Sequence, residues 1–222
     1  MTTVAILPVK RFDRAKQRLG QRLDAATRET LVEAMLRDVL AALAEVRLLY
    51  RLIVVTGEPR ARALARARDA VIVDDEAEQG QSPAAAAGVS QAMELGAQRV
   101  VLVPGDCPAL DPEELDGVLA ADVEGGPAVT IVPDRHGRGT NALLLTPPDV
   151  IEPAFGPDSF ERHVAAARSA GARLGVARLP SLLLDVDTPA DLAALRGAPV
   201  RRATAGVIAA MDSHVQPLRL GP

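Results

Sequence analysis

At 222 residues and 48% hydrophobic, the chain suits one sizeable α/β domain, and with aromatics at 2% its core must be built from Ala, Val, Leu and Ile. A net charge of −4 argues against a general nucleic-acid binder, and no apolar run approaches the length of a bilayer span. The lone Cys107 cannot close an internal disulfide, and no basic leader or small-residue cleavage site flanks the first apolar run, so a cytoplasmic setting is expected.

In chain order, residues 4–9 are an apolar run that reads as a buried strand ending at Lys10. Residues 12–24 are polar, basic and aperiodic, hence a loop. Leu31, Met35, Val39 and Leu43 recur at helical spacing and predict a helix over 27–46. A strand over 52–56, a turn over 57–59, a short Arg-rich helix over 60–69 and a strand over 71–73 follow, then the acidic stretch 74–78. Residues 83–95 form an Ala-rich helix with Pro83 in its first turn. The strand 99–103 breaks at Pro104 and Gly105, and Asp111 with Pro112 starts a helix to about residue 120. Two strands, 128–132 and 141–146, flank the polar loop 134–139, and 158–169 is helical with Asp158 or Ser159 as cap. Late strands are expected over 172–179 and 182–186, and a last helix over 188–196 with Pro189 at its first position. Past Gly197 the pattern fades, giving a domain over 1–197 and a weakly structured or docked tail over 198–222. The strand–helix alternation implies right-handed βαβ units and a mostly parallel sheet with a mixed extension.

Ligands of open α/β sheets sit outside the carboxyl ends of the strands, and four polar clusters fall at such ends. The first runs from Leu7 and Pro8 through Lys10 to Lys16 and Arg18. Lys10 and Lys16 are the only lysines in the chain, and compact cations of this kind neutralise a triphosphate and its leaving pyrophosphate. A solvated basic loop is the plain alternative, and the glycines of a Walker A loop are missing. The second cluster, 79–82, offers Gln81, Ser82 and backbone groups to a base edge, or is simply a polar turn and cap. The third places Gly105 and Asp106 between two prolines, and the fourth sets Asp185 and Asp187 at a strand–helix junction. Each carboxylate alone is explained as a turn residue or cap. Together they suit Mg²⁺, which takes one or two carboxylates with phosphate oxygens and water. A donor-rich stretch then holds Arg135, Thr140 and Asn141, followed by Gly156 and Ser159 at a helix start where phosphate is attracted; hairpin and cap are its plain reading. His136 and His163 are given no catalytic role, because an already ionised phosphate needs no general base, and Cys107 is expected to be a packed thiol.

With the segments LPVKRFDRAKQRL, GQSPAAAAG, VPGDCPAL, DRHGRGTNALLL, FGPDSFERH and LDVDTPADL, the chain resembles the guanylyltransferases of deazaflavin coenzyme F420 biosynthesis, described as acting on phosphoenolpyruvate or 2-phospho-L-lactate. The resemblance begins at residue 7 and stops after Arg196; GDxP alone is shared with many nucleotidyltransferases. It implies a Rossmann-like, GT-A-like nucleotidyltransferase fold, similar to the molybdenum-cofactor guanylyltransferases. It also implies acceptor contacts at Thr140, Gly156 and Ser159 and metal contacts at Asp106, Asp185 and Asp187. The expected reaction is in-line attack of the acceptor phosphate on the α-phosphorus of GTP, with Mg²⁺, Lys10, Lys16 and Arg18 holding the phosphate charge. Phosphoenolpyruvate is the favoured acceptor, and the product is expected to pass to a downstream transferase. Pro83 departs from the pattern, where a small non-proline residue is expected. Two rivals stand beside this reading. A nucleotide-sugar-dependent glycosyltransferase should carry Asp-x-Asp after a mid-sheet strand, whereas here that pair comes late, at Asp185 and Asp187. A non-catalytic nucleotide-binding protein would show no turnover.

Overall fold

The computed structural model describes residues 1–121 and 125–214. The apolar runs of the first half form β1 (Thr3–Val9), β2 (Arg51–Thr56), β3 (Val71–Asp74) and β4 (Arg99–Leu102), with β2 pairing parallel to β1 and β3, and β4 parallel to β1. They are joined by α1 (Ala25–Leu43), α2 (Pro59–Arg66) and α3 (Gln81–Glu94), so each link is a βαβ crossover. After α4 (Pro112–Ala121), β5 (Ala128–Pro133) and β6 (Thr140–Thr146) make the expected antiparallel hairpin, and β6 docks antiparallel on β4. Then come α5 (Ser159–Ser169), β7 (Arg173–Val176) parallel to β5, and α6 (Pro189–Leu195). The sheet order is β3-β2-β1-β4-β6-β5-β7.

β1 carries no polar alternation because both its faces are covered. Ala5, Leu7 and Val9 join a core with Leu31, Met35 and Val39 of α1 and Leu115 and Leu119 of α4. Val4 and Ile6 point the other way, into a core with Ala85 and Val89 of α3 and Val164 of α5. Gly88 lets α3 close down on Ile6 and Val55, where a Cβ would have no room. Growth of the sheet reverses between β1 and β4: β2 and β3 extend one way, β4 and its neighbours the other. At such a switch the loops after the two strands part and leave a crevice.

Two expectations change, and a third segment is more definite than expected. The strand expected over 182–186 is instead a 3-10 turn, Pro180–Leu182, and a segment outside the sheet. Leu182 and Val186 are buried, but β4 already has β1 and β6 as neighbours, so no edge is free there; Val186 N–H to the Asp106 carbonyl, 3.3 Å, joins the segment to the loop after β4. The loop 12–24 contains a 3-10 turn, Gln17–Gln21. Past Gly197 the chain forms α7 (Arg202–His214), which packs on α1. Asp38 of α1 accepts from the backbone of Ala203 at 3.2 Å and Thr204 at 2.7 Å, capping α7 from another element. Residues 215–222 of the expected tail lie outside the described residues. Among the described residues no helix is long and apolar enough to cross a membrane.

Candidate active site

The loop after β1 is drawn across the crevice by two glutamates that the sequence did not flag. Glu58 accepts from the N–H of Phe12 at 3.0 Å, and Glu78 accepts from Arg11 N–H at 3.0 Å and Arg14 at 2.5 Å. Held this way, Lys16 adopts a left-handed backbone, φ 52°, and its ammonium reaches both Asp106, after β4, and Asp187, at 2.5 Å. Burial opposes the charge on Lys16, but the two carboxylates outweigh it and hold its pKa above the ordinary lysine value. Asp187 is available because Thr188, not Asp187, caps α6. The Thr188 hydroxyl accepts from Asp191 N–H at 3.3 Å, while the Asp191 carboxylate accepts from the N–H groups of Thr188 at 2.7 Å and Asp187 at 3.1 Å. Asp185 sits behind the pair; burial, and then the charges of Asp106 and Asp187, push its carboxyl above the ordinary range. Asn141 donates its amide to the Leu182 carbonyl at 2.6 Å and leans on Asp185 at 3.4 Å.

Among the described residues no group of three or more Asp, Glu, His or Cys side chains is gathered closely enough to form a metal cage. Asp106, Asp185 and Asp187 are therefore not a ready-made three-carboxylate site. They do fit a cation that needs only one or two carboxylates and takes its other ligands from phosphates and water. Asp106 Oδ1 is buried without any hydrogen-bond partner, and a buried carboxylate oxygen is costly unless something positive meets it.

The opposite wall is the β5–β6 hairpin and the loop before α5. Asp134 accepts from the N–H groups of His136 and Arg138, both at 3.0 Å. Gly139 lies close beside it, and a Cβ there would lie 2.6 Å from the Asp134 carboxylate, which would have to shift. Gly156, at φ 111°, turns the chain into α5, and Arg162 staples this loop by donating to the carbonyls of Ala154 at 2.9 Å and Phe155 at 3.1 Å. The α5 N-terminus offers fewer free donors than expected: Ser159 N–H bonds the Gly156 carbonyl at 3.1 Å and Phe160 N–H the Arg138 carbonyl at 3.0 Å. Asp158 precedes it without capping it, pairing instead with Arg138 at 2.7 Å.

Between the walls lies a cleft of about 910 Å³. Pro8, Lys10, Lys16, Arg18, Gln81, Gly105, Asp106, Asp185 and Asp187 border it, as do Thr140, Asn141, Gly156 and Ser159 of the hairpin and the loop before α5. Three expected contacts are not among its walls. Leu7 is fully buried in the core, because alternation along β1 turns it inward. Ser82 lies inside α3 rather than in a turn, and its hydroxyl accepts from Phe155 N–H at 2.9 Å, tying α3 to the far wall. Arg135 is engaged by Asp191 and by His136. Arg162 and Asp191, which shape the site without entering the expectations, stood within recognised segments; Glu58 and Glu78 had no signal beyond local acidity.

The family described as "Guanylyl transferase CofC like" matches residues 3–197. Phosphoenolpyruvate guanylyltransferase of Conexibacter woesei is 51% identical over 196 residues, 88% of either chain, and that of Sphaerobacter thermophilus is 42% identical over 201 residues, 90% of this chain and 96% of its own. A protein of Desulfovibrio desulfuricans G20, described as a nucleotide-diphospho-sugar transferase, superposes with a TM-score of 0.73 over 96% of both chains at 20% identity. A nucleotidyl transferase of Methanothermobacter thermautotroptrophicus gives 0.60 over 88% of this chain and 96% of its own at 22% identity. These likenesses bear out the Rossmann-like nucleotidyltransferase fold.

Proposed function

The chain belongs to the CofC-like guanylyl transferase family, and on that premise we propose that it transfers GMP from GTP to phosphoenolpyruvate, releasing pyrophosphate. The observation that carries the reading is that Lys16, Asp106 and Asp187 face Thr140, Gly156 and Ser159 across a single cleft, so a charged phosphate site meets a second, donor-bearing subsite.

Lys10, Lys16 and Arg18 hold the triphosphate and the charge that builds on leaving pyrophosphate. Gln81 and the backbone at Gly80, the start of α3, face the guanine; Pro83 stands third in that helix, where an N–H would have no helical partner, so its ring costs no helical bond. Asp106 and Asp187 would hold Mg²⁺, with Asp185 beside them, and the ion when bound would neutralise the α-phosphate and the leaving group. Thr140, Gly156 and Ser159 orient the acceptor so that its phosphate oxygen lies in line with the α-phosphorus; that oxygen is already ionised, so no side chain need remove a proton. 2-Phospho-L-lactate, with the same phosphate beside a carboxylate, is the nearest alternative. The product, an organic acid linked through a diphosphate to guanosine, is an activated donor for a later transferase, and a cytoplasmic enzyme accords with such substrates.

Incubation of the protein with Mg²⁺, GTP or ATP, and a panel of phosphorylated acids tests this. Expected are pyrophosphate release, kcat/KM for GTP above that for ATP by roughly a hundredfold or more as unpaired base-edge groups penalise the wrong base, and preference for phosphoenolpyruvate over phospholactate. Release of a nucleoside diphosphate instead, or equal use of ATP, would overturn the reaction; preference for phospholactate would overturn the acceptor.

A further inference from the structure

His163 is fully buried beneath the acceptor wall, although it does not border the cleft. Its two ring nitrogens face different partners. Nε2 lies 2.9 Å from the backbone nitrogen of Ala154, and Nδ1 lies 2.9 Å from the hydroxyl oxygen of Thr140. The edge of the Phe155 ring system packs against it, with centroids 5.4 Å apart at 74°.

The partners fix the protons. A backbone N–H can only donate, so Nε2 must accept and carries no hydrogen. A neutral imidazole then has its one proton on Nδ1, which donates to Thr140 Oγ1. Burial and the neighbouring Arg162 guanidinium push the His163 pKa down to about 4, in keeping with a neutral ring. The hydroxyl oxygen of Thr140 is thereby taken up as an acceptor. Its own proton has no acceptor among the described residues, and Thr140 borders the cleft.

We infer that His163 is a positioning residue that polarises Thr140 and turns its hydroxyl proton toward an anionic group of the acceptor, through the relay Ala154 N–H to His163 to Thr140 O–H to ligand. This rests on the reading of the cleft as an acceptor site. The same ring joins the start of β6 to the loop holding Gly156, so the donor and the glycine turn are set by one side chain. With His163 donating to its oxygen, the Thr140 proton is left to point into the cleft, which favours a deprotonated oxygen there.

Two measurements test the relay. The chain has three histidines, so ¹⁵N-resolved imidazole spectra of the wild-type protein report the tautomer directly. A neutral Nδ1–H form is expected for His163; an Nε2–H form would overturn the relay. In kinetics, His163→Gln keeps an acceptor for Ala154 but has no nitrogen at the Nδ1 position that meets Thr140. KM for the acid should rise roughly ten- to hundredfold, the worth of a hydrogen bond to a charged group, with KM for GTP unchanged. Thr140→Val should match it, Thr140→Ser should restore the wild-type value, and the double variant should be no worse than either single. Additive losses, or equal rises in both KM values, would mean that His163 only supports the fold. Should the wild type accept no phosphorylated acid yet show the Nδ1–H tautomer, the acceptor reading fails while the hydrogen-bond relay stands.

Discussion

At the scale of single residues, Lys16 is where the site is decided. A left-handed backbone costs a residue with a Cβ about 1–3 kcal/mol and persists only where its surroundings demand it. Among the described residues the non-glycine positions with positive φ are Lys16, Asp69, Glu78 and Asp158, and all but Asp69 border the cleft. Lys16→Ala is expected to lower kcat by roughly a hundredfold or more, the scale of removing a positioned charge from a transferring phosphate. Lys16→Arg should recover only part of it, because a planar fork cannot bridge Asp106 and Asp187 as a compact ammonium does. Pyrophosphate release gives both rates, and wild-type turnover in Lys16→Ala would reduce the loop to a solvated surface. The two lysines were legible because nothing else in an Arg-rich chain is Lys, and Asp106 because a buried strand ends beside it. Leu7, Ser82 and Arg135 stand outside the walls of the cleft for one physical reason. Which way a strand residue faces, and which distant group claims a hydroxyl or guanidinium, depends on elements far away in the chain, here α1, the Phe155 loop and Asp191.

At the scale of elements, α6 shows how a local cap serves a distant site. The reciprocal bonds of Thr188 and Asp191 complete its first turn, and Asp191 also accepts from the N–H of Asp187, fixing the backbone from which that carboxylate reaches Lys16. Thr188→Ala should cost about 1 kcal/mol, the usual worth of an N-cap, and should lower turnover as well, while Thr188→Ser should do neither. Urea midpoints and rates measured on the same samples separate the two effects; a destabilised Thr188→Ala with undiminished turnover would show that the cap does not govern Asp187. Elements announced by their own caps, such as Asp111 before α4 and Pro189 within α6, could be read from sequence to within a residue or two. The segment 182–186 could not, because apolar content does not reveal whether a sheet edge is open, and α7 could not, because its cap is supplied by Asp38 on α1.

Taken as a whole, the molecule is anionic, with 29 acidic against 25 basic side chains, so its general field does not attract a polyphosphate. Attraction must come from the crevice, where the fold brings Lys16 to Asp106 and Asp187 from sequence separations of 90 and 171 residues. The ammonium of Lys16 bridges both carboxylates, so a divalent cation competes with it there and gains its remaining ligands only when phosphates arrive. Mn²⁺, followed by electron paramagnetic resonance, should therefore bind the free protein weakly and tighten when GTP is added. Turnover should vanish in excess chelator and return with Mg²⁺. Asp106→Asn should abolish turnover yet leave the thermal midpoint within about 5 °C, a change of roughly 1–2 kcal/mol for a chain of this size, because asparagine keeps the turn and Asp187 keeps its pair with Lys16. Full activity in chelator, or an active Asp106→Asn, would remove the cation from the reaction; equally tight Mn²⁺ binding with and without GTP would show that Lys16 does not stand in its place.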